Sequence, residues 1–321
     1  MSKSVFIKIV YFTNGASGNV GNPFIDMGSI QSLKMACPNS IIYTPSHMSK
    51  CIFYSYGKNL DSAFDIAPAI EADYAVFSGM MLNRVFVEIM NSTISKLIEN
   101  NTKLIINGAG GYGYTQKEVE IFRRFLKKYP PYAFISRDER SFENYNDLAE
   151  HSYSGIDCAF FLSDYFTPAK LNLPDFVIFN FDRYESKLHR FLKLIKNESV
   201  FKTPKIQIPE ICNKLIIRTH HSSLRIPKKY FSAPNTLISD IPDDYLHLYA
   251  NTKATYSDRV HACLATLSFG NPAMLFSQTP RALLFDKIGA YTIKEKLTYP
   301  DIQKIKEEKS KHIAFLSKVI K

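Results

Sequence analysis

Apolar positions follow two different periods along the first half of the chain. Short runs rich in β-branched and aromatic residues predict strands, and longer stretches with apolar positions three or four residues apart predict helices. Strands that are apolar throughout and alternate with helices indicate a parallel sheet covered on both faces. The predicted strands are Val5 to Tyr11, Ile41 to Tyr43, Tyr74 to Ser78, Lys103 to Asn107, Tyr132 to Ser136 and Cys158 to Leu162, and the predicted helices are Phe24 to Met35, Arg84 to Glu99, Gln116 to Lys127 and Arg140 to Glu150.

The pattern stops near residue 165 and then starts again. Residues 164–174 contain two prolines and little periodicity, which is typical of a linker. We therefore predict an α/β protein with two doubly wound, Rossmann-like domains, residues 1–165 and 175–300, facing each other across a cleft. The segment 301–321 reads as an amphipathic helix that packs back on the first domain. The second set of predicted strands is Phe176 to Phe181, Lys214 to Arg218, Thr236 to Ser239, Ala254 to Ser257 and Ala273 to Phe276, with helices at Asp243 to Asn251, Val260 to Phe269 and Pro280 to Ile288.

Length and composition agree with this organisation. The chain has 321 residues, of which 45% are hydrophobic, enough for two packed cores, and its net charge of +10 favours anionic partners. Its five cysteines are scattered, so neither a disulfide framework nor a zinc site is expected. The N-terminus does not resemble a signal peptide, and no apolar stretch is long enough to span a membrane. We expect a soluble cytoplasmic protein.

A basic stretch follows the first strand of the second half. It has two interpretations: a solvated helix face and loop, which we favour, or attraction to an acidic or lipid-linked substrate at the inner face of the membrane. Nucleic acid is less expected, because no aromatic–basic recognition motif accompanies the charge. The residues are Lys187, Arg190, Lys193, Lys196, Lys202 and Lys205.

Two glycine-rich segments follow predicted strands. The first ends in Asn19-Val20-Gly21-Asn22 before a helix, and its small residues favour a ligand-facing turn over an ordinary βα turn. The second, residues 108–113, matches G-x-G-x-x-G. It is not in the first βαβ unit and no acidic residue follows at the expected spacing, so we interpret it as a loop that lines the cleft rather than as a dinucleotide fingerprint.

Two further segments place cations at the carboxyl ends of strands, where open α/β sheets bind ligands. Arg137 comes directly before Asp138, which has the pattern of a helix N-cap; a helix start alone does not explain the arginine. Arg259 and His261 fall in the first turn of a helix, where the positive dipole end, a guanidinium and an imidazole favour a phosphate beside a proton-exchanging group. A histidine at such a position is also often only hydrogen-bonded locally. The pair His220-His221 follows a strand and could line the cleft, but we favour an ordinary loop pair.

The order of these motifs resembles that of the polysaccharide pyruvyl transferase family. It runs from the Asn19 to Gly21 turn, through Gly110-Gly111, Ser136 to Ser141 and Gly155 to Ala159, to Ser257-Asp-Arg-Val-His-Ala262 and Phe269 to Pro272. The resemblance implies the two-domain glycosyltransferase type B architecture. It also implies an enzyme that joins the enolpyruvyl unit of phosphoenolpyruvate to two hydroxyls of one sugar and releases phosphate, with no cofactor or metal.

The resemblance also implies roles for individual residues. Arg259 and Arg137 would hold the phosphate and carboxylate of the donor, His261 would transfer the proton, and the Val260 backbone could add an N–H contact. Asn19, Gly21 and Asn22, with Gly110 and Gly111, would shape the acceptor side. The family turn usually ends in Asp, so that Asn22 removes a candidate acceptor base.

Two other functions remain open on the sequence. One is a glycosyltransferase of the same architecture that uses a nucleotide sugar, with Arg259 facing its diphosphate. The other is a non-catalytic protein that binds anionic glycans, for which His261 would be dispensable. The acceptor sugar, the stereochemistry of the ketal and the oligomeric state do not follow from the sequence.

Overall fold

The structure is a computed structural model that describes residues 6–15, 19–45, 57, 65–181, 214–221 and 234–321. Several parts of the predictions fall outside these residues: the start of the first strand at Val5, two of the five cysteines (Cys51 and Cys212), and the whole basic stretch from Lys187 to Lys205.

The strands, in chain order, are β1 (Lys8–Phe12), β2 (Ile41–Tyr43), β3 (Tyr74–Leu82), β4 (Lys103–Gly111), β5 (Ala133–Ser136), β6 (His151–Ser154), β7 (Phe176–Asn180), β8 (Leu215–Thr219), β9 (Thr236–Leu237), β10 (Thr255–Ser257) and β11 (Ala273–Leu275). The α-helices are α1 (Gly21–Ala36), α2 (Arg84–Glu99), α3 (Gln116–Lys128), α4 (Glu139–Tyr145), α5 (Leu162–Tyr165), α6 (Pro242–Asn251), α7 (Val260–Ser268) and α8 (Ile302–Val319). Single 3-10 segments occur at Ala67–Ala69, Asn146–Leu148, Cys158–Phe161 and Pro280–Ile288.

The chain divides into two compact units. Unit 1 contains Met1–Gly15, Ile25–Phe161 and Lys306–Lys321, and unit 2 contains Ala16–Phe24 and Leu162–Ile305. Each unit has its own parallel sheet: sheet A in unit 1, with the order β2-β1-β3-β4-β5-β6, and sheet B in unit 2, with the order β11-β10-β7-β8-β9. Both orders reverse direction once, as in doubly wound α/β folds, and the expected fold class is confirmed.

The core of unit 1 follows from its sequence pattern. The central strands β1, β3, β4 and β5 are buried on both faces, so they read as continuous apolar runs. Helix α2 buries Met90, Ile94 and Leu97 in one of the two core clusters of this sheet. Its start is fixed by Asn83, whose side chain accepts a hydrogen bond from the Phe86 N–H.

Helix α8 closes the other face of sheet A. Leu316, Val319 and Ile320 lie in one cluster with Ile9 and other strand residues. This confirms the prediction that the C-terminal helix packs back on the first domain.

One predicted strand is wrong. Residues 158–162 form the 3-10 segment Cys158–Phe161 and the start of α5, and the sixth strand of sheet A is instead His151–Ser154. The residues of Cys158–Phe161 are all buried, and an apolar run this short has no period that separates a strand from a buried turn of helix. The strand that was missed is polar and partly exposed, because it lies at the edge of the sheet.

Candidate functional site

The candidate site lies in unit 2, at the carboxyl edge of sheet B. The strand order reverses between β7 and its neighbour β10, which end at Asn180 and Ser257. Open α/β sheets bind ligands at this point, because the connections from two adjacent strands leave in opposite directions and open a crevice. Helix α7 begins directly after β10, so Arg259 and His261 stand at the crevice of this sheet.

Backbone hydrogen bonds fix the start of α7. The Ser257 hydroxyl donates to the backbone oxygen of Asn180 over 2.8 Å, and the Asp258 N–H donates to the same oxygen over 3.2 Å. The Ser257 hydroxyl oxygen in turn accepts the Arg259 N–H at 2.8 Å. Arg259 occupies the N-cap position with an extended backbone (φ −105°, ψ 120°). The guanidinium therefore belongs to a rigid segment at the positive end of the helix dipole.

Arg259 has a second cation beside it. Burial, together with the charge of Arg281, lowers the pKa of Arg259 to about 10, so Arg259 still carries its charge near neutral pH. Two cations that repel each other at a helix N-terminus are a favourable place for an anion with two negative charges. Arg281 was missed from the sequence. It lies at the start of the 3-10 segment Pro280–Ile288, where only the preceding Thr279-Pro280 signals a helix start.

His261 is in the first turn of α7 and is 8% exposed. The turn from Asn19 to Asn22 lies against it: a Cβ placed on Gly21 would be 3.2 Å from the His261 Cβ and 3.3 Å from the Asn19 side-chain oxygen. The turn is closed by the Asn19 amide, which donates to the Asn22 side-chain oxygen over 3.0 Å. The sequence places this turn on the acceptor side of the first domain. In the structure it belongs to unit 2 and packs on His261.

A second histidine, His221, also packs against the turn from Asn19 to Asn22. His221, which follows β8, is 1% exposed, and its backbone oxygen accepts the Val20 N–H at 2.9 Å. Its Nε2 is 2.6 Å from the hydroxyl of Tyr249. The two histidines do lie in a loop, as predicted, but His221 is buried, and the sequence alone does not reveal which loop turns inward.

Arg137 has a different environment from the one expected. It is fully buried in unit 1, and its Nη1 donates to Asp157 Oδ2 over 2.9 Å. Asp138 is the N-cap of α4 and accepts the Ser141 N–H, as its pattern predicts. The sequence predicts an accessible guanidinium for the donor, and the structure instead shows an enclosed ion pair with a carboxylate 20 residues further along.

Gly110 and Gly111 explain how that arginine fits. The predicted glycine-rich loop is wrong for these two residues, because both are buried and belong to β4. A Cβ on Gly110 would overlap Arg137 Nε and would lie 2.9 Å from Asp138 Oδ2, and one on Gly111 would lie 3.0 Å from the Tyr114 ring. The glycines are needed because buried side chains, rather than a ligand, approach the strand closely.

Unit 1 has a cavity of its own at the corresponding edge of sheet A. Its volume is about 510 Å³, and it lies where the order reverses between β1 and β3 and where α2 begins. Its floor is apolar, with Phe12 and Phe77 stacked at 4.4 Å between ring centroids. Its polar lining includes Asn14 and Ser78, which suits a ligand with one apolar and one hydroxylated face.

The described residues contain no group of three or more His, Cys, Asp or Glu side chains placed to hold a metal ion. Among the same residues, no helix combines the length and the apolar character that crossing a bilayer requires.

Structural comparison supports the fold. The UDP-GlcNAc 2-epimerase of Methanocaldococcus jannaschii is 14% identical with a TM-score of 0.53, covering 97% of this chain and 92% of that one. The Neisseria meningitidis UDP-GlcNAc 2-epimerase bound to UDP-GlcNAc is 12% identical with a TM-score of 0.51, covering 98% and 94%. A putative UDP-N-acetylglucosamine 2-epimerase from Listeria monocytogenes is 10% identical with a TM-score of 0.54, covering 87% and 81%. At these identities the likeness concerns the fold alone.

Sequence comparison gives the family. No curated protein matches the chain. The family model for polysaccharide pyruvyl transferase matches residues 40–280, a range that includes β10, the start of α7 and Arg259 to His261. The chain belongs to the polysaccharide pyruvyl transferase family.

Proposed function

We propose that the protein transfers the enolpyruvyl unit of phosphoenolpyruvate to two hydroxyls of one sugar, in a surface polysaccharide or its lipid-linked precursor, and thereby forms a pyruvate ketal. Membership of the family supports transfer of this kind. The observation that carries the proposal is the pair Arg259 and His261 at the start of α7, where the order of sheet B reverses.

Arg259 and Arg281 would hold the phosphate of the donor. Both would offer a guanidinium to the dianion, and the N–H groups at the start of α7, including that of Val260, would add to the binding of the phosphate. The same cations would stabilise the phosphate as it leaves, which is a transition-state interaction and raises kcat. Arg137, paired with Asp157, would fix the ends of β5 and β4 rather than touch the donor.

His261 would supply the proton that starts the reaction. Protonation of the methylene carbon creates positive character on the neighbouring carbon, and a sugar hydroxyl attacks that carbon. The C–O bond to phosphate then breaks, and the second hydroxyl closes the ketal. The two hydroxyl protons balance the proton taken by the methyl group and the proton that leaves with phosphate. General acid–base catalysis of this kind contributes about 10²–10⁴-fold.

The cavity of unit 1 would bind the acceptor. Asn14 and Ser78 already bond Asp26 and Tyr11, and their side-chain oxygens would accept further hydrogen bonds from sugar hydroxyls. Phe12 and Phe77 would offer an apolar surface for the C–H face of a pyranose. Such a combination of a few polar groups on an apolar floor is common in small-molecule sites.

The experiment is an incubation with phosphoenolpyruvate and galactose- or mannose-containing acceptors, followed by phosphate release and by the mass of the acceptor. We expect phosphate release coupled to a carboxyethylidene group on the acceptor. Arg259→Met should lower kcat/KM by about 10²–10³-fold. Arg124→Met, which removes an exposed arginine from α3, is the matched control and should not change it. Phosphate release without a modified acceptor would refute the proposal.

The second candidate is a glycosyltransferase that uses a nucleotide sugar. The observation that favours it is the likeness to the Neisseria meningitidis epimerase, whose structure holds UDP-GlcNAc. Thermal shift separates the two functions: a donor that binds the native state raises the melting temperature. We expect phosphoenolpyruvate to raise it and UDP-sugars not to do so, and the opposite result would favour the glycosyltransferase.

A further inference from the structure

His221 is a buried imidazole that the proposed chemistry does not use. It follows β8 at the carboxyl edge of sheet B, next to the strand that ends at Asn180. A buried histidine with a fixed partner on one nitrogen has a defined tautomer, and that tautomer decides what its other nitrogen offers.

The hydrogen bonds around Tyr249 determine the tautomer. The Asn180 amide nitrogen donates to the Thr219 hydroxyl over 2.8 Å and to the Tyr249 hydroxyl over 3.1 Å. The Tyr249 hydroxyl has a single proton to give. Its distance to His221 Nε2 is 2.6 Å, whereas its distance to the Thr219 hydroxyl is 3.5 Å, too long for a normal O–H···O bond. Tyr249 therefore donates to Nε2, and a neutral His221 carries its proton on Nδ1.

Nδ1 of His221 faces the turn that packs on His261. A Cβ on Gly21 would be 3.4 Å from His221 Nδ1 and 3.2 Å from the His261 Cβ, so Gly21 packs against both histidines. The backbone oxygen of His221 holds the same turn through the Val20 N–H. His221 thus contacts the turn both through its ring and through its backbone.

The groups around His221 disfavour a positive charge on it. Burial lowers the pKa of His221 to about 3, with His261 and His220 as further causes. The other rings against it are Tyr249, Tyr245 at 5.4 Å and Phe24 at 5.5 Å between centroids, and none carries a negative charge near neutral pH. Burial also raises the pKa of Tyr249 and of Tyr245, so both phenols stay protonated.

We propose that His221 is a positioning residue of the donor site, held by Tyr249 as the neutral Nδ1–H imidazole, so that the proton of the reaction is left to His261. A cation at His221 would repel a proton on His261, because both histidines pack against Gly21 and are close enough to interact electrostatically. Tyr249 prevents this by binding the lone pair that a second proton would need. This inference rests on the proposed function for its kinetic consequence, but the state of His221 is independent of it.

The first test measures the tautomer directly. Imidazole ¹⁵N shifts of the full chain separate the Nδ1–H, Nε2–H and doubly protonated forms, and the signal of His221 is assigned by its loss in His221→Asn. We expect the Nδ1–H form from about pH 5 to about pH 8. An Nε2–H form, or titration of His221 within this range, would overturn the inference. The result does not depend on phosphoenolpyruvate turnover, so that failure of the proposed function is detected separately.

The second test is kinetic. Tyr249→Phe keeps the ring and removes the hydrogen bond to the neutral imidazole, which raises the pKa of His221. We expect the loss of kcat to be larger at about pH 6 than at about pH 8, with little change in KM for phosphoenolpyruvate. Tyr245→Phe is the matched control, since its hydroxyl binds backbone oxygens of His220 and Ser239 instead of the ring.

Two outcomes of the kinetic test would refute a positioning role. One is an equal loss of kcat at both pH values in Tyr249→Phe, which describes a structural defect. The other concerns His221→Asn, whose amide places an N–H near the position of Nδ1 and cannot become a cation. We expect it to retain more activity than His221→Ala at about pH 6, and equal activities would contradict the inference.

Discussion

Gly21→Ala is the substitution that tests the donor site most directly. The backbone of Gly21 begins α1, and the added methyl would be 3.2 Å from the His261 Cβ, which is closer than ordinary contact, and 3.4 Å from His221 Nδ1. His261 and His221 are both buried, so the packing around them resists the shift that the added methyl requires. Overpacking of this kind costs about 1–3 kcal/mol. A displacement of a few tenths of an ångström at the acid group should lower kcat about tenfold, since about 1 Å costs 10²-fold.

The assay measures kcat and KM for phosphoenolpyruvate at saturating acceptor, together with urea unfolding. Gly113→Ala is the control outside the donor site: its methyl would come closest to Glu118 Oε2, at 3.1 Å, in the capping box that begins α3. We expect a lower kcat in Gly21→Ala alone. If Gly21→Ala were folded and had the wild-type kcat, His261 would not be the acid or its position would not matter, and the reasoning about the site would be refuted.

Asp157→Asn should destabilise the protein by about 3–5 kcal/mol, because it leaves the buried Arg137 without its counter-charge, and urea unfolding would show a lower midpoint; an unchanged midpoint would mean that the pair is not buried. Burial lowers the pKa of His312 to about 3, so folding favours its neutral form. The stability that comes from keeping His312 neutral is fully present above its unfolded pKa near 6.5. As the pH falls from there toward about 3, the free energy of unfolding decreases by roughly 1.4 kcal/mol per pH unit. His312→Gln should therefore flatten the decline of stability below about pH 6.5, and a wild-type slope in that variant would contradict the assignment. Ser78→Ala in the cavity of unit 1 should raise KM for the acceptor by several-fold, roughly the effect of one lost hydrogen bond, and leave KM for phosphoenolpyruvate unchanged; a change in the latter alone would place the acceptor elsewhere.

The fold could be predicted well because its signal is local. Apolar runs separated by helical periods identified both sheets. The strand that was missed is the polar edge strand β6, and the segment wrongly predicted as a strand is the buried 3-10 segment Cys158–Phe161. In both cases burial is decided by neighbours far along the chain. No periodicity within the segment itself carries that information.

The site was predicted less completely for a similar reason. Arg259 and His261 could be found because one short segment contains a strand end, a helix start and two functional side chains. His221, Tyr249 and Arg281 come from three other segments, and only the fold brings them to the same edge of sheet B. For Arg137 the position after a strand was predicted correctly, but its environment was not. The carboxylate that pairs with it, Asp157, comes from a later segment of the chain.

The packing of α8 affects the order in which the two units can finish folding during synthesis. Leu316, Val319 and Ile320 complete the apolar cluster that also contains Ile9 and Val76. During synthesis, the early strands of sheet A must therefore wait for residues 306–321 before that face is covered, whereas all of unit 2 has already been translated. Domains usually mature in the order of the chain, but here the half that emerges first on the ribosome is finished last.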